Sequence, residues 1–209
     1  MDVGALIATI GFDDKHVLPS LRQLPYDRLL LVGGRDSFRS ASFRRLRSFE
    51  PSLQSVRVNP FDFGNCLRAI ENVVEREREK GPVRISATGG PKILTTAAIL
   101  AAFHEGVETW YCDPDPIRLP ILRGVRIAAD FSPAEVFIAQ RLRRSVPLTN
   151  LIPLMMSAGF ARRTILTAVR SLVTKGLFES AIESGRATVR PTPRLGLVRP
   201  HIRLEPGKA

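Results

Sequence analysis

Residues 85–104 read ISATGGPKILTTAAILAAFH. Residues 83–87 are typical of a short strand, and the stretch after Lys92 is rich in Ala, Leu and Ile, as in a helix. The two glycines between them allow a sharp turn and a close approach to a ligand. Pro91 suits the first position of the helix, where its missing N–H costs nothing. Because the free N–H groups of a helix start and the charge of Lys92 favour an anion, the segment predicts a turn that holds phosphate.

The first 130 residues alternate between strand and helix patterns. Strands are predicted at 3–10, 28–32, 55–58, 83–87, 109–112, 117–122 and 125–128, and helices at 16–24, 40–50, 65–80 and from Lys92 up to Gly106. This alternation implies right-handed crossovers and a parallel sheet with helices on both faces, an α/β Rossmann-like fold.

Ligands of such sheets bind where the strand order reverses. For the common order 3-2-1-4-5, that point lies between the first and fourth strands. The loop that begins at Gly11 and the loop 88–92 would then share one crevice, with Gly34 and Arg35 beside them. The sequence contains neither GxGxxG after the first strand nor a Walker GxxxxGK[ST] motif, so the alternative of ordinary tight turns stays open.

Charge divides the chain. Its net charge is +11, and residues 131–209 carry 13 Lys and Arg against 4 Asp and Glu, which leaves +2 for residues 1–130. We therefore predict two domains, 1–130 and 131–209, of which the second faces nucleic acid or another polyanion.

The second domain is predicted to contain three helices and a hairpin. The helices span residues 132–144, 148–158 and 161–175, and two short strands surround Ser184-Gly185. Three helices followed by a small hairpin indicate a winged helix-turn-helix. The third helix pairs an apolar stripe with a basic, hydroxylated side, as a recognition helix requires. The candidate DNA-binding residues are Arg162, Arg163, Thr164, Thr167, Arg170, Ser171, Arg186 and Arg190. The alternative is a helical dimerisation domain with a solvated basic face.

Three segments together resemble a known family. They are ATIGFD at 8–13, ATGGPK at 87–92 and LVTKGL at 172–177. In this arrangement the chain resembles the CARF-domain transcriptional regulators of archaeal CRISPR loci, which join a CRISPR-associated Rossmann fold to a winged helix-turn-helix. Pro91 stands where family members often have Thr or Ser, which removes one hydroxyl contact.

The resemblance implies a homodimer that binds a cyclic oligoadenylate, above all cyclic tetra-adenylate, as a regulatory ligand and binds promoter DNA. A fourfold ring suits a twofold dimer. The ligand-binding residues that the resemblance implies are Thr9, Gly11, Phe12, Thr88, Gly89, Gly90 and Lys92. To these we add Gly34 and Arg35, which follow the second predicted strand. Lys92 and the helix start would hold phosphate, Thr9 and Thr88 would offer hydroxyls, and Phe12 would pack on a base or on the partner.

Two alternative functions stay open. Some CARF domains cleave their own ligand slowly, which requires positioning more than a strong base. An RNA-binding accessory role is the other alternative. We assign no catalytic residue, metal site or cofactor, and we expect Cys66 and Cys112 to be small buried hydrophobes.

The remaining expectations concern the setting of the chain and its tail. No apolar run has the length that crosses a bilayer, so we expect a soluble cytoplasmic protein. Residues 191–209 would extend the basic surface, join the dimer interface or be partly disordered.

Overall fold

The computed structural model describes residues 3–120 and 131–202. The chain divides into two compact units, Met1–Val125 and Arg126–Ala209. Each unit has its own hydrophobic core, and we describe the two units separately.

Unit 1 is an α/β unit built on one sheet. In chain order its elements are β1 (Ala5–Ile10), α1 (Leu18–Gln23), β2 (Arg28–Gly33), α2 (Ala41–Phe49), β3 (Gln54–Arg57), α3 (Phe63–Arg78), β4 (Val83–Ser86), α4 (Lys92–Glu105), β5 (Glu108–Cys112) and β6 (Pro116–Leu119). The strand order is β3-β2-β1-β4-β5-β6. This order confirms the predicted order of the first five strands. The strands β1 to β5 are parallel, as predicted, and β6 runs antiparallel to β5. The strand predicted at 125–128 lies outside the described residues.

The sheet is covered on both faces, which makes three layers. All six residues of β1 are buried. Alternate residues of a strand point to opposite faces, and accordingly Ile7 packs with the core under α3 and α4, whereas Leu6 packs with the core under α1 and α2. Cys66 and Cys112 are both buried and free, as expected. A strand buried on both faces explains why its sequence is continuously apolar.

Unit 2 contains the predicted helices and hairpin. Its elements are α5 (Pro133–Arg141), β7 (Val146–Pro147), α6 (Leu148–Ser157), α7 (Arg162–Thr174), β8 (Phe178–Glu183), β9 (Arg186–Pro191) and α8 (Pro193–Val198). The order of its antiparallel sheet is β7-β9-β8. Ser184 and Gly185 form the hairpin turn with φ of 49° and 74°, the left-handed values that a tight two-residue turn needs.

Two details of unit 2 differ from the prediction. The first helix ends at Arg141 and not at residue 144, because Leu142 is already extended at ψ 116°. The short strand β7, which the sequence did not predict, follows it. Ser132 caps α5 and Glu135 completes the reciprocal capping box, as the sequence predicts.

The described part of the tail packs on its own unit. Leu195 and Ile202 are buried in the core of unit 2. Arg199 donates from its Nε to the carbonyl oxygen of Ala139 at 2.8 Å and from its Nη2 to that of Leu142 at 2.5 Å. Residues 193–202 therefore close the end of α5.

Candidate functional site

The loops after β1 and β4 lie against each other at the point where the strand order reverses. A Cβ atom placed on Gly11 would lie 3.1 Å from the Cα of Gly90, and one on Gly89 would lie 2.5 Å from the carbonyl oxygen of Thr9. Gly89 therefore requires glycine, and at Gly11 a side chain would be tightly crowded, because the two backbones meet there. The glycines therefore serve the close packing of the two loops.

The start of α4 faces this junction with unpaired donors. Pro91 is the N-cap residue, with φ −62° and ψ 149°, and Lys92 is the first helical residue. The sequence analysis predicted Pro91 as the first residue of the helix, one position further into the helix than the N-cap position that it occupies. The first N–H groups of any helix have no acceptor within the helix. Among the described residues no side chain supplies one to α4 either. The exposed Lys92 adds a full positive charge, and together these donors favour an anion.

Two other predicted residues lie exposed near the junction. Phe12 is 72% exposed immediately after Gly11, and Arg35 is exposed after β2. Gly34 is buried, and a Cβ atom on it would lie 2.9 Å from the Cγ of Pro60. The loop after β2 therefore contacts the loop after β3.

The two predicted threonine hydroxyls form hydrogen bonds inside the unit. Thr9 is 1% exposed and donates to the carbonyl oxygen of Ser86 at 3.5 Å. The hydroxyl oxygen of Thr88 accepts from the backbone N–H of Cys112 at 2.8 Å and lies 3.3 Å from the hydroxyl oxygen of Ser86. Because Thr9 is buried, its hydroxyl has no access to a ligand. Its hydrogen bond instead links the end of β1 to the end of β4.

The sequence analysis missed one further hydroxyl in this hydrogen-bond network, that of Ser20. Ser20 on α1 is fully buried, and its Oγ lies 2.5 Å from the Oγ of Ser86. The network therefore joins α1 to the end of β4 beneath the candidate site. The available signal was a serine at the end of an otherwise apolar strand, but its partner is 66 residues away in sequence.

A second missed contact fixes the loop after β1. Asp14 is 6% exposed, and its two carboxylate oxygens accept from Nε and Nη2 of Arg45 at 3.2 and 3.3 Å. This bidentate pair ties the loop to α2. A two-pronged contact of this kind fixes orientation as well as distance.

In unit 2, α7 divides into a packed side and an outward side. Ile165, Ala168, Val169 and Leu172 are buried. The exposed predicted residues on this helix are Arg162, Arg163, Thr164, Thr167 and Arg170, and Ser171 is partly buried. Thr174 is also exposed, and the sequence analysis left it out.

A cleft of about 400 Å³ separates one flank of α7 from the start of α5. Its lining consists of Ser132, Glu135, Arg163, Thr164, Thr167, Ala168 and Ser171. Burial alone would raise the pKa of the Glu135 carboxyl, but hydrogen bonds from Lys175, at 2.8 Å, and from Ser132 hold that pKa below its usual range. The cleft therefore contains a fixed negative charge that Lys175 balances. Thr164 and Ser171 lie on this flank and not on the centre of the outward face.

Both hairpin arginines have a glutamate opposite them in the register of β8 and β9, and Arg190 forms an ion pair with its glutamate. Arg190 lies opposite Glu179, and Arg186 lies opposite Glu183. Nη2 of Arg190 donates to Glu179 Oε2 at 2.6 Å. The sequence analysis counted the arginines without the glutamates that cross-strand register places beside them.

Two further properties concern residues 3–120 and 131–202 alone. In these ranges no three His, Cys, Asp or Glu side chains come together as a metal site would require. No helix there has the length and apolar character that crossing a bilayer demands.

Comparison with solved structures finds matches of low identity. Can2 from Sulfobacillus thermosulfidooxidans, solved with cyclic tetra-adenylate, is 12% identical with a TM-score of 0.47, covering 94% of this chain and 61% of Can2. Protein VC1899 from Vibrio cholerae is 11% identical with a TM-score of 0.43, covering 93% and 63%. Enterococcus italicus Csm6, bound to cyclic hexa-2'-fluoro-hexa-dAMP, is 15% identical with a TM-score of 0.42, covering 52% and 33%. The chain thus spans about three fifths of the length of the first two.

Sequence comparison gives a family assignment. No curated protein matches the chain. The family model described as "HFX_2341_N:-like, N-terminal" matches residues 5–116, which is more than half of the chain and contains strands β1 to β5 and the first residue of β6. The chain therefore belongs to the HFX_2341_N-like, N-terminal family.

Proposed function

We propose that this chain is a ligand-responsive DNA-binding regulator of a CRISPR system. Unit 1 acts as a CARF domain that binds cyclic oligoadenylate, and unit 2 acts as a winged helix-turn-helix that binds duplex DNA. The observation that carries the proposal is the junction of the loops after β1 and β4 beside the uncapped start of α4 and Lys92. The ligand class is the one that the resemblance in residues 8–13 and 87–92 implies.

The chemistry of the junction fits a phosphate diester. A cyclic oligoadenylate presents one negative charge per nucleotide, and the unpaired N–H groups at the start of α4 and the ammonium of Lys92 attract that charge. Phe12, 72% exposed, offers a face for a base or for the second subunit. In a homodimer the twofold axis would give a cyclic ligand two equal sites.

The outward side of α7 supports the DNA-binding half of the proposal. Arg163, Thr167 and Arg170 are exposed, and helical geometry places them together opposite the buried stripe. Guanidinium groups bind phosphates and guanine edges, and hydroxyls bind either. Since Arg190 is paired with Glu179, it contributes less to this attraction than the arginines of α7, and Arg186 stays a candidate DNA contact.

Regulation follows only if the ligand distinguishes two arrangements of the dimer. A ligand that binds both arrangements equally shifts neither. Cyclic oligoadenylate would therefore change DNA affinity by the ratio of its own affinities for the two arrangements.

The test of the ligand-binding half is calorimetric titration of the purified protein with cyclic tetra-adenylate. We expect one ligand per dimer, and we expect Lys92→Ala to weaken binding by about tenfold or more, the loss of one charge-assisted contact. Arg68→Ala is the matched control, because it removes one positive charge from an exposed position on α3. Absence of binding to the wild type would refute this half of the proposal.

The test of the DNA-binding half is fluorescence anisotropy of a labelled duplex at several salt concentrations. Competition with duplex RNA of matched length distinguishes DNA binding from the RNA-binding alternative, since salt dependence accompanies both. Preference for RNA would contradict the proposal. Repeating the titration with cyclic tetra-adenylate present measures the coupling directly.

A further inference from the structure

A second exposed phenylalanine stands at the same edge of the sheet as Phe12. Phe61 follows β3, and like Phe12 it is 72% exposed. Because β1, β2 and β3 are parallel, their carboxyl ends lie along one edge. Neighbouring strands are about 4.8 Å apart, so the ends of β1 and β3 are about 10 Å apart.

The turn that carries Phe61 is held in place by side chains. The backbone N–H of Phe61 donates to Asn59 Oδ1 at 3.3 Å, and that of Asn59 donates to Asn65 Oδ1 at 2.8 Å. The backbone N–H of Asn65 donates to Asp62 Oδ1 at 2.9 Å, and the thiol of Cys66 donates to the carbonyl oxygen of Asn59 at 3.2 Å. An aromatic ring on a fixed turn loses little freedom on binding, so the turn is preorganised for a ligand.

The loops that separate the two phenylalanines pack against one another. A Cβ atom on Gly33 would lie 2.8 Å from Cγ2 of Ile10, and one on Gly34 would lie 2.9 Å from Cγ of Pro60. The loop after β2 therefore touches the end of β1 on one side and the loop after β3 on the other. The loops after β1, β2 and β3 are therefore packed side by side between Phe12 and Phe61.

Exposed cations accompany this strip. Arg57 ends β3 next to Gly33 in register, and Arg35 follows β2. Asp62, the acidic neighbour of Phe61, is engaged as the cap of α3. Exposed aromatic rings beside basic side chains are the combination with which proteins bind single-stranded nucleic acid, where rings stack on bases and cations follow the phosphates.

We propose that the nucleotide site extends across the ends of β2 and β3, and that Phe61 stacks on one base of the bound oligonucleotide. The proposal rests on the proposed function of unit 1 and adds a base-stacking residue to it. A ligand that contacts both Lys92 and Phe61 must reach from the loop after β4 to the loop after β3, and at the strand ends this is three strand spacings, about 14 Å.

The experiment is titration with cyclic tetra-adenylate of the wild type and of four variants. We expect Phe61→Ala and Phe61→Leu to weaken binding by about tenfold or more, because both remove the aromatic face. Phe61→Tyr keeps that face and should bind within about twofold of the wild type, the expectation if stacking dominates. Phe49→Ala is the matched control, since Phe49 ends α2 and is 76% exposed, and its affinity should equal that of the wild type.

The outcomes separate the two proposals. A wild type that does not bind overturns the proposed function together with this inference. A wild type that binds, with Phe61→Ala or Phe61→Leu at wild-type affinity, overturns the stacking role alone. An equal loss in Phe49→Ala also overturns it, because the effect is then not specific to the site. Thermal unfolding of each variant verifies the fold before titration.

Discussion

The hydroxyl of Thr88 accepts the backbone N–H of Cys112 at 2.8 Å, so the loop after β4 is fastened to the end of β5. Replacement by valine leaves that N–H without its acceptor. We expect Thr88→Val to lower the free energy of unfolding by about 1–3 kcal/mol, and Thr88→Ser to change it little. Urea unfolding measures both. Full stability of the valine variant with a loss of ligand affinity would show instead that the hydroxyl serves the ligand.

A buried carboxylate gives unit 1 an acid-sensitive contact. Glu77 is fully buried and accepts hydrogen bonds from Arg28, Arg76 and Lys80. Burial alone would raise its pKa, but the three cations, Lys80 first, hold the pKa below its usual range. A depressed pKa stabilises the fold above the unfolded value of about 4.3, and this contribution is lost as the pH falls through the folded value.

The corresponding variant is Glu77→Gln, which we expect to be less stable than the wild type at pH 7 by about 3 kcal/mol. The difference between the two proteins should shrink as the pH falls below about 4.3. Urea unfolding across a pH series measures it. A difference that stays constant down to the acid range would contradict a role for the ionised carboxylate.

The face of α7 and the hairpin should differ in their effect on DNA. We expect Arg170→Ala to weaken duplex binding and to reduce the slope of log affinity against log salt by about 1. Arg190→Ala removes the same charge from a side chain already paired with Glu179 at 2.6 Å, so its effect on both quantities should be small. Equal losses in the two variants would mean that the hairpin contacts DNA as strongly as the helix.

One histidine of unit 1 should matter for stability and not for ligand binding. Nδ1 of His104 lies 2.8 Å from Oε1 of Glu71, and each side chain is 9% exposed. Removing His104 leaves the buried Glu71 with one hydrogen-bond partner fewer, so we expect His104→Ala to lower the free energy of unfolding by about 1–3 kcal/mol. Chemical denaturation measures the cost. Loss of cyclic tetra-adenylate binding in a fully stable variant would contradict this assignment.

The sheet was predictable because its information is local. Continuous apolar strands, glycine-rich turns and amphipathic helices each occupy one short window. Their alternation predicted a parallel sheet, and the common order 3-2-1-4-5 of such sheets is the order observed for β1 to β5. Position 91 was misplaced for a physical reason. Proline fixes φ near −65° at both the cap and the first helical position, and only ψ, here 149°, separates the two.

The parts that sequence reasoning missed depend on partners far apart in the chain. Ser20 meets Ser86, and Asp14 meets Arg45, only after the sheet and its helices assemble. The charge of the hairpin is a similar case. In the sequence, Arg190 is a candidate phosphate contact. The register of β8 and β9 places Glu179 opposite Arg190, and the sequence analysis did not include this partner.

Because Arg199 contacts the end of α5, unit 2 needs its tail as well as its helices and hairpin in order to fold. A premature stop codon at position 193 would remove Leu195 and Ile202 from the core of unit 2 and leave the carbonyls of Ala139 and Leu142 without their guanidinium donor. Such a nonsense allele would be damaging although every residue from α5 to β9 is still encoded.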